Sequence, residues 1–546
     1  MAQKAADVAA TSGAGKTNPH AVVVVYPQQG HVIPVTLLSL RLAARAFAVT
    51  VVNTEAVHDQ TARALGVDPA GYDFFAGARA SGMDVRYELI SDGLPVGFDW
   101  SLNHDEFMGS LLHAHSGHVE EVLGRVVVDP AATCLVADTF FMWPVTLASK
   151  FGIAYVSFWT EPALIFNLYY HVHLLTNNGH FDCNEPRKDT ITYILGVPAI
   201  ELHELMQIGG GAYRRVPRSG TSDARREDGS VKGRAMNNDR ANVHGGARDA
   251  WGLHSLMSYL QETDTTSVVH YIIFKAFEEA RGADYVLCNT VEELEPSTIA
   301  ALRSEKPFYA VGPIFPAGFA RSAVATSMWA ESDCSHWLDE QPPGSMLYIS
   351  TPPASATVHL LRQLCARHQA RAARDRWGVL ASGTRFLWVM RPDIVSSDDP
   401  NPLPEGFVAA SAGRGLVVPW CCQVEVLSHT ALGGFLTHCG WNSVLESVWA
   451  GVPMLCLPLL TDQFTNRRLI AREWSVGMPI GDRGAVFADE VRARIAGIMS
   501  GKEGEELREA VKKMRATLEA AMTHGGSSQQ SFDEFVDELT CRCSGR

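Results

Sequence analysis

The feature that most constrains this chain is an alternation of short apolar, β-branched runs with amphipathic helical patterns, met twice along its length. AVVVVY opens the first series, followed by PQQGHVIP and a helical pattern over 35–45. FAVTVVN, VRYELI, TCLVAD and AYVSFW supply further strands, with helices expected near 107–123 and 144–151. Runs that are apolar throughout suit strands covered on both faces, and strands separated by helices pair in parallel. The pattern therefore predicts an α/β fold on a doubly wound parallel sheet, whose ligands collect at the carboxyl ends of the strands. A chain of 546 residues is too long for one ordinary core, and SMLYIS, FLWVM, GLVVPW, GGFLTH and MLCLP predict a second sheet of the same kind. Two Rossmann-like domains are expected, over 20–312 and 333–546, with a Pro- and Gly-bearing linker at 313–332 between them. Helices near 489–499, 505–522 and 530–539 should close the chain, and the small, polar residues 1–19 should be disordered.

Three polar residues stand at strand ends in the first series. His31 follows the first strand, Asp138 ends TCLVAD and Thr160 follows AYVSFW. One sheet edge could bring His31 and Asp138 together, and a histidine backed by a carboxylate is a general-base pair: the carboxylate fixes the tautomer and stabilises the imidazolium. A lone histidine after a strand is more often a polar loop residue. No G-x-G-x-x-G follows the first strand, which disfavours a nicotinamide or flavin dehydrogenase.

Lys plus Arg number 46 against 60 Asp plus Glu, a formal charge of −14, so a general nucleic-acid or anionic-membrane role is not expected. The 11 cysteines show no metal-ligand spacing, and reduced thiols in a cytoplasmic protein are the expectation. The opening residues have no apolar core of signal-peptide length, and no later run reaches the roughly 20 apolar residues of a membrane span. Between 207 and 256 the texture turns rich in Gly, Arg, Asp and Asn, which reads as a disordered insertion whose basic residues are solvated.

The second series carries the longest informative stretch, Trp420 to Gln463. Its order is strand, turn cluster CGWNS, helical VLESVWAG, then strand. Asn442 and Ser443 fall where helix caps fall, so first-turn N–H groups could bind an anion; Ser443 and Glu446 equally form an S-x-x-E capping box that needs no ligand. Alone, Trp420 and Trp441 read as core tryptophans and Asp462 as a helix cap. Taken end to end, the stretch resembles the signature box of the plant secondary-product UDP-glycosyltransferases, the inverting family 1.

That resemblance implies a GT-B fold of two facing domains, the last helix packing back on the first. It implies that Trp420 stacks on uracil, that Gln423 and Glu446 hold the ribose, that His438, Asn442 and Ser443 hold the diphosphate, and that Trp441, Asp462 and Gln463 lie against the sugar. YPQQGHVIP and VADTFFMWPVTLASKFGIAYVSFWT are similar to the family's segments bearing the catalytic histidine, here His31, and its partner, here Asp138, with Thr160 near the sugar. The implied reaction is inverting transfer of a hexose from a UDP-sugar co-substrate, with neither metal nor cofactor, to a hydroxyl of a small lipophilic acceptor; Gln463 hints at UDP-glucose. Acceptor-facing loops are expected at 97–101 and 161–170. After SMLYIS the chain departs from the family's Phe-Gly-Ser turn: 351–377 begins Thr351, Pro352, Pro353, and a proline offers no backbone N–H to a phosphate. The abrupt departure and return read as a shifted frame or mis-joined gene, and they motivate an alternative, a non-catalytic relative that binds UDP or a small ligand.

Overall fold

The apolar runs become the buried strands of two parallel sheets in a computed structural model that describes residues 18–179, 190–201, 268–350, 378–390, 407–481 and 488–543, save positions 99, 101, 102, 321, 323, 326 and 460. The expected insertion at 207–256, the departure at 351–377 and residues 1–17 of the expected disordered start lie outside the described residues.

The strands in chain order are β1 (His20–Val24), β2 (Ala48–Thr54), β3 (Val85–Ile90), β4 (Thr133–Asp138) and β5 (Ala154–Trp159), a short antiparallel pair β6 (Thr190–Ile191) and β7 (Ile200–Glu201), then β8 (Tyr285–Cys288) and β9 (Phe308–Ala310). The second half supplies β10 (Met346–Ser350), β11 (Arg385–Val389), β12 (Gly415–Val418), β13 (Leu432–Thr437), β14 (Met454–Cys456) and β15 (Gly477–Pro479). The first sheet has the order β3-β2-β1-β4-β5-β8-β9 and the second β12-β11-β10-β13-β14-β15. Every pairing in both is parallel. Each sheet thus winds outward in both directions from a central pair, β1 beside β4 and β10 beside β13, and the switch between these pairs opens a crevice at the strands' carboxyl ends.

Burial explains why these runs form strands. β1, β4 and β5 are buried along their whole length, which removes Val, Leu and aromatic surface from water on both faces of the sheet. The last helix, Ser527–Cys543, closes the first sheet rather than the second. Phe535 packs edge-on between Tyr285 and Tyr309, at ring distances of 5.8 and 5.7 Å, and the Arg41 guanidinium lies 4.2 Å over Phe532. Arg542 donates to Asp284 at 2.6 Å, and Arg45 pairs with Asp533. No described helix is long and apolar enough to cross a membrane.

Three expectations change. The first helix runs Gln29–Ala43 and so begins before His31, with Pro34 inside it. Pro34 reads as a helix boundary in the sequence, yet its missing N–H is tolerated because the carbonyl it would have served has another partner, described below. The pattern at 107–123 is divided between two helices, His104–His113 and His115–Val126. The strand β15 and the pair β6–β7 have two or three residues each, too few to show a period.

Candidate active site

β1 and β4 are neighbours, with Val24 in register with Ala137, so the residues that follow them meet although 107 positions separate them. His31, in the first turn of helix Gln29–Ala43, places Nδ1 2.7 Å from Oδ2 of Asp138. Asp138 is 1% exposed, and its other oxygen accepts the backbone N–H of Phe140 at 2.9 Å. Thr160, at the end of the adjacent β5, puts its hydroxyl 3.2 Å from the same Nδ1. The imidazole is held by Tyr26 at 5.0 Å and, edge-on, by Phe140 at 5.6 Å. A carboxylate on Nδ1 selects the tautomer with the proton there, which leaves Nε2 with its lone pair.

The second sheet presents its own switch point to this histidine. β13 ends at Thr437, and His438 to Gly440 form the turn into helix Trp441–Ala450. The turn is tight: Cys439 sits at φ 68°, and a Cβ on Gly440 would lie 2.5 Å from Nε2 of His438. Gly440 is the cap residue, so Asn442 and Ser443 stand inside the first helical turn and the S-x-x-E box does not form. Ser443 instead accepts Nε2 of Gln423 at 2.9 Å, and the same amide donates to Glu446 at 2.7 Å. Tyr348 donates to the Gln423 carbonyl at 3.3 Å. Burial raises the Glu446 carboxyl to about 7, with the Gln423 hydrogen bond pulling back.

Three hydrogen bonds bridge the two sheets' crevices. Trp441, 3% exposed, donates its indole N–H to the Asn289 carbonyl at 2.7 Å. The Asn289 amide reaches Oδ1 of Asn442 at 3.4 Å, and Nδ2 of Asn442 donates to the Gly30 carbonyl at 2.7 Å. Gly30 precedes His31, so the helix turn of one sheet is tied directly to the residue beside that histidine on the other. Asp462 heads the short helix Gln463–Arg468 and accepts from Thr461 at 2.7 Å and from Asn466 at 2.5 Å. Burial raises its carboxyl, while these bonds and the field of His31 pull it down. Gln463 accepts the Leu459 N–H at 2.9 Å, and Trp420 lies 5.1 Å from Trp329.

Residues 367–480 match the family model described as UDP-glucoronosyl and UDP-glucosyl transferase. UDP-glycosyltransferases 86A1 and 86A2 of Arabidopsis thaliana are 43% and 44% identical to the chain, each alignment covering 96% of this chain and 95% of the relative. The chain belongs to the plant UDP-glycosyltransferase family. The fold agrees: the rice protein Os79 in complex with UDP superposes with a TM-score of 0.70 over 95% of this chain and 100% of its own, at 23% identity. Phytolacca americana UGT2, complexed with UDP-2fluoro-glucose and pterostilbene, gives 0.66 over 96% and 100%, also at 23%. This glycosyltransferase is therefore a GT-B enzyme of two Rossmann-like domains.

Several residues of the glycosyltransferase's cleft escape a motif reading. Asn289 directly follows β8, and its place at a strand's carboxyl end was the available signal. Glu161 follows Thr160; burial, then Asp462 and Asp138, raise its carboxyl well above the usual range. Glu295, also buried, accepts the N–H groups of Ala163 and Leu164 at 3.0 and 2.7 Å and so fixes the loop that carries Thr160 and Glu161. No pattern in the sequence points to it.

Proposed function

We propose that this glycosyltransferase moves a hexose, glucose in the first instance, from a UDP-sugar to a hydroxyl of a small lipophilic acceptor, with inversion at the anomeric carbon. The observation that carries the reading is the 2.7 Å contact between His31 Nδ1 and Asp138 at the mouth of the crevice. Nε2 of His31 takes the acceptor's hydroxyl proton as the oxygen bonds to the anomeric carbon. The bond from that carbon to the diphosphate oxygen breaks, and UDP leaves with the electron pair. Asp138 balances the imidazolium, and Thr160 supports its geometry. The charge that grows on UDP is met by His438, Asn442, Ser443 and the first-turn N–H groups of helix Trp441–Ala450. In this reading Trp420 receives the uracil face, Gln423 and Glu446 the ribose hydroxyls, and Trp441, Asp462 and Gln463 the sugar side.

The first domain, 20–312, would hold the acceptor and the second, 333–546, the donor, with 313–332 between them. Glucose is supported by Gln463 at the end of the signature box and by a relative 28% identical over 539 residues, the (R)-mandelonitrile beta-glucosyltransferase of Prunus dulcis. A second reading, UDP binding without transfer, is motivated by Thr351, Pro352 and Pro353 in place of a Gly-Ser turn. One experiment separates them: UDP calorimetry combined with transfer from UDP-glucose to a panel of phenols and alcohols, on the natural chain and on His31→Ala. The expected result is UDP binding by both and transfer by the natural chain alone, about 100- to 10,000-fold above the variant. UDP binding without transfer to any acceptor would establish the second reading, and transfer undiminished in His31→Ala would sink the first.

A further inference from the structure

An interior proline in helix Gln29–Ala43 has a cost: it lacks the N–H that would close a bond to the carbonyl four residues back. For Pro34 that carbonyl belongs to Gly30. Before the gap Val32 N–H bonds to Gln28 O at 2.9 Å, and beyond it the helix continues to Ala43. The Gly30 oxygen does have a partner, and it comes from the other domain: Nδ2 of Asn442, at 2.7 Å. Since a carbonyl requires a donor, this contact fixes which way the Asn442 amide faces, and its Oδ1 then meets the Asn289 amide at 3.4 Å. An amide nitrogen carries two hydrogens. One is spent on Gly30, and the other remains for an acceptor in the cleft.

We propose that Pro34 is a positioning residue for the transfer reaction: by withholding its own N–H it leaves the Gly30 carbonyl to Asn442, which registers the diphosphate-facing turn of the second domain against the histidine next to Gly30. The inference rests on the reading that the cleft binds a UDP-sugar. It goes beyond that reading in assigning a role to a residue that touches neither substrate. Any other residue at 34 would supply an N–H one helical turn from Gly30; the carbonyl, with two lone pairs, would then be shared between that N–H and Asn442, which weakens and redirects the contact across the cleft. The helix would be better made and the domains less well aligned. Asn442 would then meet a diphosphate from an unfixed orientation, and the ordering now provided by Gly30 and Asn289 would have to be supplied on binding.

The test uses the full chain, UDP as the probe, and three readouts: calorimetric UDP affinity, thermal midpoint and steady-state transfer from UDP-glucose. Pro34→Ala restores the N–H and favours the helix, so its thermal midpoint should equal or exceed that of the natural chain. Its UDP affinity should fall about fivefold to tenfold, the effect of one neutral hydrogen bond. Pro34 is buried, so Pro34→Val, which fills more space, is the second variant; the two share the restored N–H, and equal losses of affinity assign the effect to it. In an Asn442→Ala background neither substitution should weaken UDP binding further, because the competing donor is gone. In steady state the KM for UDP-glucose should rise while the KM for the acceptor holds, a split that general loosening of the helix would not produce. UDP affinity within twofold of the natural chain, tighter binding, or the same loss in the Asn442→Ala background would each overturn the proposal. A natural chain that fails to bind UDP would instead overturn the donor-site reading, and this proposal with it.

Discussion

Replacing Asp138 by asparagine changes one oxygen to an amide nitrogen at nearly constant volume, and the structure dictates which way the new side chain faces. Oδ1 of Asp138 accepts the Phe140 N–H at 2.9 Å. An amide must keep its oxygen there, because an NH2 group would oppose a backbone donor at a position that is 1% exposed. The nitrogen is then left 2.7 Å from Nδ1 of His31, where Asp138 now presents an acceptor. Nδ1 must become the acceptor, the proton moves to Nε2, and the base loses its lone pair on the side that faces the cleft. A wrongly protonated histidine of this kind lowers turnover by about 10,000-fold in the serine-protease triad. Because part of the population can flip the amide and break the Phe140 bond instead, we expect about 1,000- to 10,000-fold here, or about 4 to 5.5 kcal/mol of activation free energy. The assay is steady-state transfer from UDP-glucose to the fastest acceptor in the panel, with UDP affinity measured in parallel. UDP affinity should stay within about twofold, since no donor contact is altered. A fall in turnover of less than tenfold would refute the argument that Asp138 acts by setting the tautomer of His31.

Three further predictions concern the turn at Gly440 and the buried Glu446. On the proposed reading Glu446, raised to about 7 by burial, accepts the ribose hydroxyls best when ionised, so UDP affinity should rise between about pH 6 and 8 and flatten above, and Glu446→Gln should abolish that slope. The unliganded fold should respond with the opposite sign: its carboxyl keeps a proton that the unfolded chain releases near 4.5, so thermal stability should fall as pH rises from about 4.5 to 7, and a pH series of melts of the natural chain against Glu446→Gln checks it. Gly440→Ala would set a methyl 2.5 Å from Nε2 of His438, which forces that ring out of the turn; UDP binding should weaken by more than about tenfold while the melting midpoint changes little, and calorimetry that finds unchanged affinity would place His438 outside the diphosphate contact.

How much of this could be read from the chain depends on the range of the interaction that decides each feature. The sheets were legible because burial on both faces leaves a local mark, as in AVVV of β1 and VTVV of β2. The expectation that His31 and Asp138 share an edge needed only the order of strands. Roles read one residue at a time were less secure: Ser443 and Glu446 have the spacing of a capping box, but the cap falls on Gly440, and both side chains turn to Gln423 instead. That preference comes from a strand-to-helix turn twenty positions away, which no local spacing records. The joint between the domains is less legible still. Pro34 taken alone is a reason to end a helix, and Asn442 taken alone is a cap or a phosphate ligand. Each has a second meaning only because Gly30, denied the N–H that a residue other than proline would bring four positions on, faces an amide 412 positions further along the chain. A local rule broken at Pro34 is thus satisfied across the cleft, and the break lies one turn from the histidine whose placement it serves.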